Sequence, residues 1–433
     1  MEYPNGLLFD EALVKEIKER FYLVDRDVDG ADRLFFDNSG GSLRLKASVE
    51  AKAVCEALPD CPERSHPRAL TLKEEVENGT REILSTVFGA KSGALLTELT
   101  ASQAMFHMVG IIMENVEGSN AVVSSLEHPS AFDAVEYYCK KTGKEMRVIP
   151  ANPETGGIDP AAAAALVDGD TCLLSVMSAS NVSGAIMDLA EIIRLAREKK
   201  PDLYVISDAV QHAPHCRLDV EALGVDGMNF APYKFFGVRG CGYAYVSPRV
   251  AALPHRKLIA KEQSVFALGT PTPGNFAATV AVIDYVTTLG QRFLPEVTDR
   301  KRLFDEGMEL IHLQERALLH RLLEGSEEAR GLRHIRGVRV LADHPDLTRR
   351  DLIAAISIDG LSVSEAVVEY GKRGVVVCDR PKTSMYARRI VEALGVDGAI
   401  RVSPMHCHGR ADVDRFLRVT GEIAETFCKN ETD

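Results

Sequence analysis

The stretch FAPYKFFG, residues 230–237, sets Lys234 among aromatic and apolar side chains. An ammonium is costly to bury, so a lysine there is driven toward its neutral, nucleophilic form, ready to condense with an aldehyde. Other polar residues follow apolar, β-rich runs in the same way. Glu127 and His128 follow AVVSSL, Ser180 and Asn181 follow TCLLSVM, Asp208 and Gln211 follow LYVI, and Lys234 follows GMNFA. If these runs are neighbouring parallel strands, one edge of one sheet presents every one of these groups, at the carboxyl ends where such sheets bind ligands. The chemistry this set suits is that of pyridoxal phosphate, which takes a lysine as a Schiff base and an acid opposite its ring nitrogen. Asp208 is the acid that would keep the ring protonated, so that it can draw electrons from a substrate Cα.

The elements that must hold these groups read as alternating helix and strand. Residues 71–88 begin with a capping-box pattern, Thr71 with Glu74, and place Leu72, Val76, Ile83, Leu84 and Val87 on roughly one stripe. Asp188 with Glu191 opens DLAEIIRLAREKK, and the next run, LYVISDA, is β-rich. AVVSSL, MRVIPA, TCLLSVM, LYVISDA, GMNFA and CGYAYV read as strands of a mainly parallel α/β sheet. After about residue 290 the pattern becomes a long helix over 295–325, then strands GVRVLAD, LIAAISIDG and GVVVCD, then a helix in RADVDRFLRVTGEIAETF. That is the pattern of a smaller α+β C-terminal domain. The expected division is a large domain over 36–290 and a small one built from 1–35 and 291–433.

Composition narrows the partners. The formal charge of −12 over 433 residues argues against a sequence-independent nucleic-acid surface, which needs clustered Lys and Arg. Small molecules are the expected ligands. The nine cysteines are odd in number and scattered, unlike a disulfide framework. No apolar run approaches the ~20 residues that cross a bilayer, and the first residues lack a basic-then-apolar leader. A soluble cytoplasmic protein, with no membrane partner, is expected.

In order and spacing, these segments resemble the class-V aminotransferase family, which includes cysteine desulfurases, selenocysteine lyases, kynureninases and isopenicillin N epimerase. The resemblance implies pyridoxal 5'-phosphate fold type I. FDNSGGS (36–42) resembles the family's N-terminal substrate loop, which suggests Asn38 as a substrate contact. TASQAM (100–105) resembles the phosphate-binding turn, with Ala101 and Ser102 offering amides and a hydroxyl at a helix N-terminus. LEHPS implies that His128 stacks on the cofactor ring, SNVSG that Asn181 lies near its phenolic oxygen, and SDAVQ that Asp208 and Gln211 are cofactor contacts. GTPTPG (269–274) implies a homodimer with shared active sites, in which Thr270 reaches the partner's phosphate. IRVS (400–403) implies Arg401 as the clamp on the substrate α-carboxylate.

Two departures shape the functional expectation. Many relatives carry Ser-x-His before the lysine, whereas Ala231, Pro232 and Tyr233 stand here, so other groups must share the phosphate. Tyr233 is read either as a donor to it or as an aromatic packed at a strand end. In SMYA (384–387), Tyr386 takes the position of the desulfurase cysteine, and a phenol cannot carry a persulfide. Cys378 and Cys407 are nearby, the first reading as a core residue that ends GVVVC. QHAPHC, with His212, His215 and Cys216, reads as structural hydrogen bonding because Pro214 breaks a common helical face. GVRGCG (237–242) reads as a tight turn, and His406-Cys407-His408, just past Arg401, as near enough to touch substrate. The expected activity is a pyridoxal phosphate-dependent lyase that cleaves a C–S bond in a cysteine-like amino acid. A class-V aminotransferase or epimerase, or a non-catalytic homologue, stands as the alternative.

Overall fold

A computed structural model of the protein describes residues 3–428. Seven strands form the central sheet, in the spatial order Ala94–Glu98, Gly242–Val246, Gly227–Phe230, Tyr204–Asp208, Thr171–Ser175, Asn120–Ser124 and Glu145–Ile149. The last five run parallel side by side. Gly242–Val246 runs antiparallel to both of its neighbours. Side chains alternate between the two faces, as strand geometry requires. Ala121, Leu173 and Ile206 join the apolar layer of helices Ala101–Asn115 and Pro129–Thr142. Val122, Leu174 and Val205 join that of Leu189–Lys199 and Pro273–Phe293. Cover on both faces is why the central strands read as unbroken apolar runs.

The C-terminal lobe holds four antiparallel strands in the order Cys378–Pro381, Gly398–Val402, Ala354–Ile358, Val338–Leu341. Tyr370 of helix Val363–Lys372 and Phe416 of Arg410–Phe427 share a core with Ile356 and Val402. One helix, Arg300–Glu324, joins the lobes: Phe304, Met308 and Ile311 enter the large core, and Leu318, Leu319, Leu322 and Leu323 enter the small one. At about 1.5–3 kcal/mol per buried side chain of this size, both halves are strongly anchored. The α/β class with a smaller α+β lobe is therefore the one the chain adopts. Among the described residues, no helix is long and apolar enough to cross a membrane.

Local departures have identifiable causes. The helix expected from Thr71 begins a turn earlier, at Pro67 with His66 before it, because proline suits the first helical position; Thr71 Oγ1 instead donates to the Pro67 carbonyl at 3.2 Å. GVVVCD splits into Val375–Val376, which pairs in parallel with Leu34–Phe35, and Cys378–Pro381, which pairs with Gly398–Val402. The edge strand Ala94–Glu98, half-exposed and short, carries too weak a pattern to be read from sequence. Near the N-terminus, Leu13 and Ile17 enter the large core, whereas Leu34 and Phe36 enter the small one. The chain thus passes between lobes before residue 36, and a division at 35/36 does not separate two cores.

Candidate active site

A cavity of about 230 Å³ opens at the carboxyl edge of the parallel strands. Thr100, Ala101 and Ser102, His128, Asn181, Asp208 and Gln211, and Tyr233 and Lys234 all line it. These residues, separated by up to 134 positions in the chain, meet because each follows a strand or opens a helix on one sheet edge.

Lys234 closes a single 3-10 turn, Pro232–Lys234, after strand Gly227–Phe230. Phe235 and Gly237 both donate backbone N–H groups to the Pro232 carbonyl, at 2.9 and 2.8 Å. Phe236 adopts φ 60°, a left-handed conformation that a bulky residue enters only when its surroundings enforce it. Ser42 Oγ supplies part of that enforcement, accepting from Phe236 N at 3.0 Å. Phe230, Phe235 and Phe236 are buried, and burial with the nearby Arg401 charge pushes the Lys234 amine down to about 7, against the pull of Asp208. Among the described residues, Lys234 Nζ has no hydrogen bond or ion pair.

Asp208 ends its strand and accepts from Val210 N at 3.0 Å through Oδ1. Burial raises its carboxyl, against that hydrogen bond and the Lys234 charge. Behind it, Glu127 accepts from Ser124 Oγ at 2.6 Å and Met177 N at 2.7 Å, and burial pushes it to about 8. His128 caps helix Pro129–Thr142. Its Nδ1 accepts from Ser130 N at 3.1 Å, which leaves the proton of the neutral ring on Nε2. Burial, then the charges of Lys234, Arg380 and Arg389, push His128 to about 3, so the ring is neutral at ordinary pH.

Gln211 donates to the Ser39 carbonyl at 3.1 Å, tying the 36–42 loop to the strand edge. Asn181 is buried, and its Oδ1 has no partner among the described residues. Arg401, 3% exposed on strand Gly398–Val402, donates to the Asn181 carbonyl at 3.2 Å and forms an ion pair with Asp37 at 2.6 Å. It stands beside the cavity rather than in its lining. Asn38 sits differently from the substrate contact expected of it: Nδ2 donates to the Phe35 and Ser403 carbonyls at 3.2 and 3.0 Å, and Oδ1 accepts from Leu43 N at 3.0 Å. Both amide protons are spent on backbone, so Asn38 fastens the loop to the small lobe.

Thr270 is exposed and outside the lining of this chain's cavity. Tyr386 does reach the site, its ring 6.2 Å from that of His128 and 20° from parallel. Cys378 pairs in register with Arg401, and burial raises its thiol; Cys407 is fully buried and raised well above the usual thiol range. His212 and His215 each meet a carboxylate, Asp351 at 2.9 Å and Glu315 at 2.6 Å, which is structural pairing. His406 is likewise buried, its Nε2 2.8 Å from the Tyr285 hydroxyl. Among the polar lining residues, Thr100, Ser130 and Arg239 went unassigned from sequence. Ser130 is two residues beyond His128 in the quoted LEHPS, and Arg239 is the one charge in GVRGCG, so both lay within motifs already singled out.

Known proteins share this fold. The cysteine desulfurase of Salmonella dublin is 27% identical over 298 residues, 64% of this chain and 72% of that protein. An apo cysteine desulfurase from Thermococcus onnurineus superimposes with TM-score 0.79 at 20% identity, covering 95% of this chain and 98% of the other. The Escherichia coli cysteine desulfurase CsdA, in its S-sulfonic acid form, gives 0.76 at 19% identity over 97% and 100%. These likenesses establish the fold as type I, the large parallel sheet with a smaller C-terminal lobe. Because the model of aminotransferase class-V matches residues 35–416, from the loop at Asp37 through the lysine turn to the last helix, the chain belongs to the class-V aminotransferase family.

Proposed function

We propose that this protein is a pyridoxal phosphate-dependent lyase that cleaves the C–S bond of a cysteine-like amino acid without a persulfide-carrying cysteine. The observation that carries the reading is the meeting of an unpaired, near-neutral Lys234 and a buried Asp208 in one cavity. The residues present fit the cofactor. Asp208 has a carboxylate oxygen to spare for a ring N–H, Asn181 an orphaned Oδ1 for a hydroxyl, and helix Ala101–Asn115 an N-terminus for a phosphate. When bound, that group supplies an electron sink conjugated to the substrate Cα.

The chain's own residues do the rest. The Lys234 amine, half-deprotonated near pH 7, is suited to take the Cα proton onto Nζ. Asp208 holds negative charge where positive charge must be stabilised, and the neutral His128 ring, fixed through Ser130, offers a flat apolar face. Arg401 is suited to the α-carboxylate by its fork. Tyr386 supports direct release of the leaving group, since it stands beside His128 and cannot form a persulfide. For cysteine the overall balance is cysteine plus water to pyruvate, ammonia and hydrogen sulfide. We also propose a homodimer in which Thr270, exposed on a loop, completes the partner's cavity.

The test is product analysis with cysteine, its sulfoxides and ordinary amino acids. Pyruvate with a sulfur product is expected. A 2-oxo acid that keeps the whole carbon skeleton and its substituent makes the protein an aminotransferase, and inversion at Cα makes it an epimerase. Protein that stays colourless with pyridoxal phosphate is no enzyme of this kind.

A further inference from the structure

We propose that Arg239, braced on the ring of Tyr233 and backed by Arg44, is the charged anchor for the cofactor's phosphate, standing where no Ser-x-His pair precedes Lys234. The inference rests on the cofactor reading above. Arg239 lines the same cavity as Thr100, Ala101 and Ser102. Three residues after it, Gly242 is pressed against the start of helix Ala101–Asn115: a Cβ there would meet Ala101 N at 2.1 Å. The turn that carries Arg239 therefore abuts a helix N-terminus, which favours an anion through its free N–H groups and its dipole.

Two guanidinium groups converge at this place. Arg239 Cζ is 4.3 Å from the centre of the Tyr233 ring and Arg44 Cζ 5.9 Å from it. A Cβ on Gly41 would meet Arg239 Nη2 at 2.9 Å and Arg44 Nη2 at 3.6 Å, so both cations crowd one glycine. Arg44 Nη1 donates to backbone carbonyls, that of Tyr233 at 2.6 Å, and neither arginine pairs with a carboxylate among the described residues. Burial and the Arg239 charge push Arg44 down to about 10. In a chain of formal charge −12, adjacent cations with no carboxylate partner among the described residues, one of them lining the cavity, call for an anion from outside. Arginine offers a planar, multi-donor match to phosphate, and stacking on an aromatic face holds it in place. Arg401, by contrast, already faces Asp37 and Asn181, which leaves the phosphate to the arginine at the helix N-terminus.

The experiment titrates full-length wild type, Arg239→Gln and Arg239→Lys with pyridoxal phosphate and with pyridoxal, which lacks only the phosphate, by absorbance. Arg239 is exposed, so thermal melts of the variants are expected to match wild type. Arg239→Gln is expected to weaken pyridoxal phosphate by roughly 10–100-fold, the worth of a charged hydrogen-bond set, while pyridoxal changes less than about twofold. Arg239→Lys should fall between. An equal loss for both ligands, or no loss for either, overturns the assignment. So does weakened amino-acid binding with cofactor affinity intact, which would make Arg239 a substrate contact. If wild type captures neither aldehyde, the cofactor reading itself fails and takes this inference with it. If wild type captures both but Arg239→Gln does not discriminate, only the inference fails.

Discussion

Two buried polar regions lie close together in this molecule, and they are built on opposite principles. Around Lys234, polar atoms are left without partners among the described residues: the amine is unpaired, Asn181 Oδ1 is orphaned, and so is Oε2 of Glu127, whose other oxygen is hydrogen-bonded. Between the lobes, His212 meets Asp351, His215 meets Glu315, and the second Glu315 oxygen accepts from His406 N at 3.0 Å. Burial lowers both imidazoles, but the carboxylates outweigh it and hold them raised. Displacement of a pKa does not tell a site from a strut. Pairing is the better guide: imidazole–carboxylate pairs join the lobes, although His406 Nδ1 has no hydrogen bond among the described residues, while the unpaired Lys234 amine and Asn181 Oδ1 share one cavity.

The contrast can be broken in order of expected effect. Lys234→Ala should lower turnover by at least ~10³-fold and abolish the borohydride-reducible adduct, with thermal stability unchanged or higher because an unpaired buried amine is gone. Turnover above a tenth of wild type would remove Lys234 from the chemistry. Glu315→Ala should cost about 3–5 kcal/mol in denaturant unfolding, the penalty of stranding one half of a buried pair, while the folded variant captures cofactor within about threefold of wild type. If stability holds and capture is lost, the network belongs to the site after all. Asp208→Asn should reduce turnover by roughly 10²–10³-fold and change stability by less than about 1 kcal/mol, since among the described residues the carboxylate makes one backbone hydrogen bond.

The two regions should also respond oppositely to pH. With Lys234 near 7, the rate of aldehyde capture should rise about tenfold per unit below that value and flatten above it, in stopped-flow absorbance. His212 and His215 are raised, so their pairing stabilises fully below the unfolded value of about 6.5 and fades as pH climbs through the folded values. Raising the pH toward 7 should therefore mainly speed capture, and raising it further should lower the unfolding free energy while capture stays flat. The smallest effect is expected of Tyr386→Phe, which keeps the ring beside His128 and should leave kcat within about threefold. A larger loss would give the phenol a proton-transfer role.

Much of the fold and of the site is legible in the sequence because two-sided burial writes itself into it. Val122, Leu174 and Val205 face one helical layer and their neighbours the other, so the strands run apolar without a break and the polar residues after them stand out. What stayed hidden depended on contacts between distant segments. Nothing in FDNSGGS says that Asn38 will spend its amide on Ser403, 365 residues away. Nothing in GVRGCG says that Arg239 will lean on Tyr233, because the turn's glycines speak only of local backbone. Thr71 and Glu74 made a sound capping pattern that lost to a proline four residues earlier, where local propensity and position were both satisfied.

The ion pair between Asp37 and Arg401 means that the protein carries its own carboxylate where a visiting acid is expected to bind. If Arg401 is the carboxylate clamp proposed above, an incoming amino acid exchanges one carboxylate for another rather than filling a bare cation, and its affinity measures only the difference. Small monoacids should look like feeble competitors even where their geometry is good. Asp37 lies one residue from Asn38, which is fastened to Ser403, so on that reading the exchange takes place at the seam between the lobes.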